Sequence, residues 1–489
     1  MTGALFLGLD VGTQGTKGVL VDAERGEVAA RASASYGLIE GLPPGAAEQH
    51  PRTWIDAVAT VAARLLVERG GARERIEGVG VSGQQHGLVL LDRDGAVLRP
   101  AKLWCDTSTA GEARELSQRF GRLVPVGYTA SKVLWTARRE PELWARAASA
   151  LLPHEYVNFA LTGARAAEAG DASGTGWFDP IERRHDLRAA AAIDARLPGM
   201  LPALLAPGEP AGALSRAGAQ LLGLRAGIPV AAGSGDNMAS AVGSGATREG
   251  VLTVSLGTSA TIFGFRAKPA IDPAGLIAPF CDATGGWLPL LCAMNATGVT
   301  EEVRRATGLD HEALTSAAEA VEPGCGGVLW LPYLAGERVP DLPHATGALL
   351  GLRPGSLAPG VLYRTAIEGV ALNLAWGLER MRALGITAES ARVVGGAARN
   401  RLWLRILADA LGIALTPLEE VESGAVGAAI LAAWTVERTR GSGRTADAIA
   451  QGFARPAGEA VEPDADRASR YREAGGRFRE RAGELFGAS

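Results

Sequence analysis

The chain has 489 residues, and 47% of them are hydrophobic, which is enough apolar material for more than one buried core. Its 49 basic residues nearly balance its 53 acidic residues, so it lacks the strongly basic composition that is typical of nucleic-acid binding. No apolar run reaches about 18 residues, the length that predicts a membrane span, and the first residues include no basic segment of a signal peptide. We therefore expect a cytoplasmic protein with neither a nucleic-acid partner nor a membrane partner.

The first half of the chain opens with a strand, a turn and a second strand. The apolar run ALFLGLDV ends in a Gly-Thr turn, and a β-prone run follows soon after the turn. Later segments alternate between apolar runs bounded by glycine and segments with apolar side chains at helical spacing. The predicted elements are strands at 4–11 and 18–22, a helix at 50–69, strands at 76–81 and 88–91, helices between 109 and 161, and a strand at 228–232.

The second half repeats this opening pattern. VLTVSLGTSATIF is again an apolar strand, a Gly-Thr turn and a second strand. Such a unit at the start of each half predicts an α/β protein of two similar domains, residues 1–247 and 248–489. The other predicted elements are a helix at 359–383, a strand at 391–394, a helix at 400–412, a strand at 413–417, a helix at 423–437 and a helical tail after residue 465.

The two Gly-Thr turns are candidate phosphate-binding loops, because a strand that ends in such a turn can direct several backbone N–H groups toward one anion. Asp10 closes the first strand, and a carboxylate there could hold Mg²⁺ through water, since Mg²⁺ prefers oxygen ligands. The phosphate-binding candidates are Thr13, Gln14 and Lys17 in the first turn and Gly257, Thr258 and Ser259 in the second. Two ordinary hairpin turns are the alternative.

The loop GSGDN places Asp236 between a predicted strand and a predicted helix. Ligands of α/β proteins gather at the carboxyl ends of strands. A carboxylate at this position can accept the proton of an attacking hydroxyl, so Asp236 is the candidate general base. The alternative is a helix N-cap, because aspartate is favoured at helix starts.

The loop GGAARN lies at another strand-to-helix junction. Glycines at such a junction allow a flat ring to approach the backbone closely, and Asn400 could contact a base. The candidate nucleotide-binding residues are Gly395, Gly396, Ala397 and Asn400. A tight turn without a ligand is the alternative.

Two polar loops of the first half suit recognition of a sugar. SGQQHG contains Gln85, His86 and Gly87, and LWCDTST contains Trp104 and Asp106. Amides, an imidazole and a carboxylate can hydrogen-bond hydroxyl groups, and a tryptophan ring can form an apolar platform. The alternatives are a structural histidine, a core tryptophan and a turn aspartate.

Other chemistries have less support. Gly78, Gly80 and Gly83 spell GxGxxG, the pattern of dinucleotide-binding loops, but they lie within a predicted strand, which disfavours a dehydrogenase. The sequence contains neither the P-loop pattern GxxxxGK[ST] nor the metalloprotease pattern HExxH. Its cysteines form no CxxC pair and predict neither a zinc site nor a disulfide framework.

In this order, the segments DVGTQGTK, GQQHG, YTASKVLW, GSGDN, SLGTS, GERVP, EGVALNL and GGAARN make the chain resemble the FGGY family of carbohydrate kinases. The resemblance spans residues 5–435 and implies two duplicated actin-like ATPase (ribonuclease H-like) domains around a central cleft. It also implies an enzyme that takes a small sugar and ATP, with Mg²⁺ as its cofactor. A homodimer is the assembly that we consider.

The resemblance implies a role for each candidate residue. Asp236 matches the catalytic base, and with Asp10 it would face the metal. Asn237 and His86 match sugar-binding residues. The two Gly-Thr turns match the phosphate loops, and GGAARN matches the adenosine loop.

The chain is most similar to the family members that phosphorylate D-xylulose, which implies transfer to the C5 hydroxyl of that sugar. Ser108 stands where many members have an arginine, and Thr136 stands where the family pattern has an apolar residue. The resemblance therefore predicts the reaction more firmly than it predicts the sugar. Gln85–His86 stands where glycerol kinases have Arg-Glu, which disfavours glycerol. The alternatives are a kinase for ribulose, ribitol or another pentose, and a non-catalytic sugar or nucleotide sensor.

Overall fold

The structure, a computed structural model, describes residues 3–419 and 422–487. The strands of the first half are β1 (Leu5–Val11), β2 (Gly15–Asp22), β3 (Glu27–Ser35), β4 (Glu48–Gln49), β5 (Ile76–Gly83), β6 (Val89–Leu91), β7 (Ala101–Lys102), β8 (Ser149–Leu151), β9 (Ala166–Ala167), β10 (Phe178–Asp179), β11 (Arg184–His185), β12 (Ala203–Leu204), β13 (Pro210–Ala213), β14 (Pro229–Ala231) and β15 (Ser234–Gly235). Its helices are α1 (Pro51–Glu68), α2 (Ala110–Phe120), α3 (Thr129–Arg139), α4 (Pro141–Arg146), α5 (Pro153–Thr162), α6 (Ala169–Ala172), α7 (Leu187–Ile193), α8 (Arg216–Leu222) and α9 (Asp236–Gly243).

The second half follows with its own strands and helices. The strands are β16 (Gly250–Leu256), β17 (Ala260–Gly264), β18 (Ala278–Cys281), β19 (Trp287–Ala293), β20 (Leu329–Leu331), β21 (Ala348–Leu350), β22 (Ala388–Val394) and β23 (Ala414–Pro417). The helices are α10 (Thr297–Thr307), α11 (His311–Glu319), α12 (Pro359–Ala383), α13 (Arg401–Leu411), α14 (Ser423–Thr439), α15 (Ala446–Ala450) and α16 (Ala465–Phe486). Short 3₁₀ helices cover Arg73–Arg75, Leu197–Met200, Cys325–Gly327 and Gly396–Arg399.

The first half is built around a mixed sheet with the order β13-β14-β5-β1-β2-β3, and β15 also pairs with β5. β1, β2 and β3 form an antiparallel meander, whereas β5 runs parallel to β1 and β14 runs parallel to β5. Parallel neighbours end at the same edge of a sheet. Asp10 at the end of β1 therefore lies opposite Ser82 of β5.

The second half repeats this topology in a sheet with the order β18-β19-β17-β16-β22-β23. β16, β17 and β19 form the meander, β22 runs parallel to β16, and β23 runs parallel to β22. Ser255 of β16 thus takes the place that Asp10 has in β1. The predicted fold, with two duplicated ribonuclease H-like domains of the actin-like ATPase type, is confirmed.

The helices predicted from apolar spacing are present with similar bounds, as α1, α12 and α14. Pro51 and Pro359 stand at the starts of α1 and α12, where a missing backbone N–H leaves no helical hydrogen bond unmade. The GxGxxG glycines lie within β5, so they form no dinucleotide loop. None of the helices in the described ranges combines the length and the apolar character that a membrane span requires.

Helix α14 of the second half packs directly on the first half. The α14 backbone lies against β5 and α9 at positions that are occupied by glycine, so that no side chain separates the elements. A Cβ on Gly80 would lie 1.9 Å from the carbonyl oxygen of Ala428, and a Cβ on Gly427 would lie 1.8 Å from that of Ala239. Such separations admit a hydrogen atom but no carbon, so these glycines allow the two backbones to touch.

A shared hydrophobic core continues from this contact into both sheets. It joins Phe6 of β1, Met238 of α9, Phe263 of β17 and Ala429 of α14. Helix α9 begins at Asp236, and α14 begins beside Asp10, where a Cβ on Gly424 would lie 2.7 Å from the carboxylate. The two helices therefore form the floor of the cleft between the domains.

Substitution of Gly427 by alanine tests the contact between α14 and α9. The added Cβ would push the helices apart, and overpacking of this kind costs about 1–3 kcal/mol. We expect a lower unfolding temperature than for the wild type in differential scanning calorimetry. The control is Gly111→Ala in α2, whose Cβ would have no neighbour within 4 Å and whose helix should gain from alanine. Unchanged unfolding of Gly427→Ala would contradict the tight contact.

Candidate active site

Asp10 lies at the carboxyl end of β1, where the cleft begins. It is half-buried, and its Oδ1 accepts a hydrogen bond of 2.7 Å from the Ser82 hydroxyl. Burial raises the pKa of Asp10, while the Ser82 hydrogen bond and the charge of Lys17 act in the opposite direction. The carboxylate faces the start of α14, so it is held between the two domains.

Asp236 is the first residue of α9, and Gly235 is the N-cap. Asp236 is therefore not the N-cap residue of α9. Its Oδ1 accepts hydrogen bonds from the backbone and the side-chain amide of Asn237, at 2.8 and 2.9 Å. Burial, with the nearby charges of Asp10 and Asp171, raises the pKa of Asp236 to about 8.

A cavity of about 260 Å³ opens beside Asp236, between the two domains. We call it the sugar-side cavity, because four of the residues predicted to bind a sugar border it. The first domain lines it with Gln85, His86, Trp104, Tyr128, Asp236 and Asn237, and the second domain lines it with Ser255, Gly257, Ser259, Thr261, Phe280 and Arg338, among others. The structure thus brings together Asp236 and most of the predicted sugar-binding residues with two of the three predicted residues of the second phosphate loop.

Gln85 and Asn237 form a polar wall of this cavity. The Asn237 side chain donates to Gln85 Oε1 at 2.8 Å and accepts from the Thr261 hydroxyl at 3.4 Å. The Gln85 side-chain nitrogen is buried and has no hydrogen-bond partner among the described residues. A buried donor without a partner is costly, so a ligand oxygen in the cavity would satisfy it.

His86 enters the cavity from a strained position, with a left-handed φ of 65°. Its ring lies between Tyr128 and Phe280, at centroid distances of 5.1 and 5.5 Å. Gly174 is needed for this placement, because a Cβ there would lie 1.7 Å from the His86 ring. Burial lowers the pKa of His86, despite the nearby Asp171 carboxylate.

Asp171 connects His86 to a second buried histidine. It lies 2.8 Å from Nδ1 of His154 and 3.6 Å from Nδ1 of His86, and no solvent reaches the Asp171 and His154 side chains. Burial disfavours a charged His154, but the paired Asp171 outweighs burial and raises the pKa of His154 to about 9. We therefore expect His154 to be protonated beside Asp171 and His86 to be neutral at pH 7.

Trp104 links the sugar-side cavity to the first Gly-Thr turn. Its indole N–H donates to the Thr13 hydroxyl at 3.0 Å, and that hydroxyl donates to Gln84 at 2.9 Å. The hydroxyl proton of Thr13 is thus already engaged within the protein. Trp104 is partly exposed and borders the cavity, so it is not a core tryptophan.

Two predicted sugar-binding residues do not reach the cavity. Asp106 is fully buried, and its oxygens accept from Ala47, Lys102 and Ser108. Gly87 packs against the Pro153 ring, 2.7 Å from its Cβ position. Neither residue borders the cavity in this structure, since Asp106 holds the loop of Trp104 and Gly87 packs against Pro153, and their contact with a sugar stays an untested prediction.

The two Gly-Thr turns lie at the cleft as hairpin ends of β1–β2 and β16–β17. In the first turn, Gln14 is exposed, and the Lys17 ammonium lies 2.7 Å from the Glu422 carboxylate of the second domain. In the second turn, the Gly257 amide donates to the Ser259 carbonyl, and the Thr258 carbonyl accepts from Ala296 at the start of α10. Both turns therefore join antiparallel strands, and phosphate binding by them stays a prediction.

A second cavity, of about 600 Å³, lies in the second domain between α11, α12 and α13. Gly396, Ala397 and Asn400 of GGAARN border it, together with Tyr363 and Trp403. The Asn400 side chain caps α13 and donates to Thr315, so its polar atoms already have partners.

Gly395 does not border this second cavity. Its φ is 95°, and a Cβ there would lie 2.3 Å from the Leu256 carbonyl. Its absent side chain lets the loop pack on β16, whereas Gly396 has open space around it. Of the two glycines, only Gly396 borders the cavity, and the approach of a flat ring to this loop stays a prediction.

Asp10 and Asp236 are the side chains that fit a magnesium ion. The negative charge of Asp10 acts on Asp236, so a cation between them would relieve their repulsion. In the described part of the chain, no group of three or more His, Cys, Asp or Glu side chains is placed to hold a metal. Two carboxylates without a third protein ligand suit Mg²⁺, which keeps several waters and binds phosphate oxygens.

Tyr128, Lys132, Asp171 and Arg338 also build the site, but residue types and spacing alone did not single them out. Lys132 is fully buried and donates to the carbonyls of residues 126–128, so it fixes the loop that borders the cavity. Tyr128, Lys132 and Arg338 belong to YTASKVLW and GERVP, two segments that carried the family resemblance. Asp171 lies in none of the quoted segments, and no signal in one sequence marked it.

Comparisons with known proteins agree with this architecture. A model of the N-terminal domain of the FGGY family of carbohydrate kinases matches residues 5–243, and a model of its C-terminal domain matches 252–436. The xylulose kinase of Streptomyces coelicolor is 38% identical over 481 residues, which cover 94% of each chain. The xylulose kinase of Haemophilus influenzae is 36% identical over 446 residues, which cover 88% of this chain and 90% of the relative.

A solved structure described as a xyloylose kinase from Brucella ovis has the same fold, with a TM-score of 0.91. It is 32% identical, and the alignment covers 98% of this chain and 99% of that one. The boundary predicted at residue 247 lies between the two ranges that the family models match.

The charge states of the two histidines can be tested by NMR on protein labelled with ¹⁵N at histidine. A pKa of about 9 means that His154 keeps its proton through neutral pH, whereas His86 should be neutral at pH 7. A raised histidine pKa stabilises the fold below its unfolded value of 6.5, and this contribution is lost as the pH rises through about 9. In Asp171→Asn the pKa of His154 should fall. A neutral His154 at pH 7 in the wild type would contradict the pairing.

Proposed function

The chain belongs to the FGGY family of carbohydrate kinases, whose members transfer phosphoryl groups to an alcohol, and we propose that its acceptor is the C5 hydroxyl of D-xylulose. A sugar kinase acts on a sugar and ATP. The observation that carries the choice of sugar is the 36–38% identity to xylulose kinases over nearly the whole chain. The sugar-side cavity supports it, because polar side chains of both domains converge there next to Asp236.

In this proposal Asp236 orients the sugar hydroxyl and takes its proton. Its carboxylate stands at the start of α9, and Asn237 holds one of its oxygens. Burial and the neighbouring carboxylates raise the pKa of Asp236 to about 8, so its ionised form is a stronger base than an ordinary aspartate, and a cation beside it would favour that ionised form. Proton transfer then leaves the alkoxide-like oxygen free to attack the terminal phosphoryl group.

The nucleotide would lie along the floor of the cleft, with its phosphates between the two Gly-Thr turns. Backbone N–H groups and hydroxyls of Thr258 and Ser259 would bind the phosphates from one side, and the first turn would bind them from the other. The adenosine would occupy the cavity bordered by Gly396, Tyr363 and Trp403, whose volume suits a base and a ribose. Positioning of this kind supplies most of the rate enhancement in phosphoryl transfer.

Asp10 and Asp236 would hold the magnesium ion that accompanies the nucleotide. When bound, Mg²⁺ neutralises charge on the phosphates during transfer. Asp10 is fixed for this purpose by Ser82 and by the start of α14, so its carboxylate does not depend on the nucleotide for its position.

The sugar would be bound by Gln85, His86 and Asn237, with Trp104 as an apolar wall. The buried Gln85 side-chain nitrogen lacks a partner, which a sugar hydroxyl would supply. The His86 ring lies between Tyr128 and Phe280, in the space that the missing side chain of Gly174 leaves. Closure of the two domains over sugar and nucleotide would exclude water and so suppress hydrolysis of ATP. A homodimer stays a prediction.

Asp236→Ala tests the base. We expect kcat to fall at least about 10²-fold, the low end for loss of a general base, while ATP affinity changes little. The measurement is sugar-dependent ADP release, with nucleotide binding followed by calorimetry. Asp186→Ala is a matched control, since Asp186 caps α7 away from the cleft. Near-normal turnover of Asp236→Ala would remove this residue from the proposed role.

The sugar itself is tested by a panel of acceptors with the purified protein. We expect the highest kcat/KM for D-xylulose, with ribulose, ribitol and other pentoses below it. A higher kcat/KM for one of these sugars would show that the proposed substrate is wrong, while the proposed phosphoryl transfer would still hold. ATP binding without ADP release on any sugar would instead favour a sensor.

A further inference from the structure

Arg338 lies in the wall of the sugar-side cavity, on the face that the second domain contributes. Among the described residues that border this cavity, it has the only permanent positive charge. The proposed sugar ligands Gln85, His86 and Asn237 all come from the first domain. Arg338 is thus placed to reach the same ligand from the opposite side of the cleft.

The backbone that carries Arg338 is rigidly held. The buried Glu337 carboxylate accepts hydrogen bonds from the backbone N–H groups of Met294 and Arg338, each at 2.7 Å, and from the Asn295 amide at 3.1 Å. The Asn373 amide of α12 donates to the next carbonyl, that of Val339, at 3.1 Å. These bonds tie the segment to the end of β19 and to α12, so the arginine projects from a fixed base.

The guanidinium of Arg338 has no carboxylate partner within 4.0 Å among residues 3–419 and 422–487. The Cys292 thiol is close enough for the Arg338 charge to act on it, and one Nη atom of Arg338 lies 3.8 Å from the Cβ position of Gly127. Its charge also acts on His86 and Tyr128. A half-buried cation without a counter-ion is costly unless oxygen atoms of a ligand satisfy its N–H groups.

The position of Arg338 indicates which part of a ligand it meets. Asp236 enters the cavity from the start of α9 in the first domain, whereas Arg338 enters it from the second domain, where one of its Nη atoms lies 3.8 Å from the Cβ position of Gly127. A sugar whose reacting hydroxyl lies at Asp236 therefore extends its other end toward Arg338. A planar guanidinium suits two neighbouring oxygen atoms, as a ketone and the adjacent hydroxyl provide.

We propose that Arg338 donates hydrogen bonds to the oxygens at the end of the sugar opposite the phosphorylated hydroxyl. In D-xylulose these are the C1 hydroxyl and the C2 carbonyl, so this assignment rests on the proposed function. The sugar then bridges the two domains, with Gln85, His86 and Asn237 on one side and Arg338 on the other. A shorter acceptor without the C1 hydroxyl and the C2 carbonyl cannot contact both domains in this way.

Two variants and two acceptors test the assignment. Arg338→Met keeps much of the side-chain length and removes the donors, and Arg338→Lys keeps the charge but loses the planar fork. With D-xylulose, kcat/KM should fall roughly 10- to 100-fold in Arg338→Met, through a higher KM for the sugar, and less in Arg338→Lys. With D-glyceraldehyde, which keeps a terminal hydroxyl but lacks the far end of the pentulose, the three proteins should differ by less than about 2-fold.

The control variant is Arg353→Met, which removes an exposed arginine of the same domain away from the cavity. Unfolding temperatures of all variants show whether they fold. An equal loss on both acceptors, or a rise in the KM for ATP in place of the sugar KM, would overturn the proposal. If the wild type prefers another pentose, the proposed substrate is wrong, and the same comparison with that pentose decides the role of Arg338.

Discussion

The direct contact between the α14 backbone and the first domain holds both halves of the cleft in place. It exists because β5, α9 and α14 present glycine where they meet, so carbonyl oxygens occupy the space that side chains would take. Asp10 and Asp236 lie at the ends of the elements that make this contact, beside the start of α14 and at the start of α9. Glycines therefore allow the close packing that places Asp10 and Asp236 at the same cleft.

The charges of the cleft are distributed unevenly along its length. Asp10, Asp171 and Asp236 concentrate negative charge, and burial makes their ionisation sensitive to one another. His154 balances the charge of Asp171, and Lys17 partly offsets that of Asp10, whereas Asp236 is acted on by two other carboxylates, Asp10 and Asp171. We propose that Mg²⁺ enters with the nucleotide beside Asp10 and Asp236. His86, which lies next to Asp171, and the Arg338 guanidinium border the cavity in which we propose that the sugar binds.

Residue type and spacing located the loops of the site better than they located its contacts. Asp106 shows the reason. An aspartate at this position could accept hydrogen bonds either from a sugar or from its own loop, and in the structure Lys102 and Ser108 donate to its oxygens. Gly395 and Gly396 are adjacent in sequence, yet one packs on β16 and the other is open. Such differences depend on neighbours that are distant in the chain, and single-sequence patterns hold no information about them.

The secondary structure was predictable from sequence features that extend over a few residues. Alternating apolar runs, prolines at helix starts and two Gly-Thr turns were enough to indicate the strand pairs, the long helices and the duplication, because hydrogen bonding and burial constrain neighbouring residues directly. Only the tertiary structure determined that His86, Asp171 and His154 lie together. It also determined that the Thr13 hydroxyl donates to Gln84 and that Arg338 borders the cavity opposite the first domain. These contacts join residues far apart in the chain, and packing of the whole molecule selects among the partners that each side chain could have.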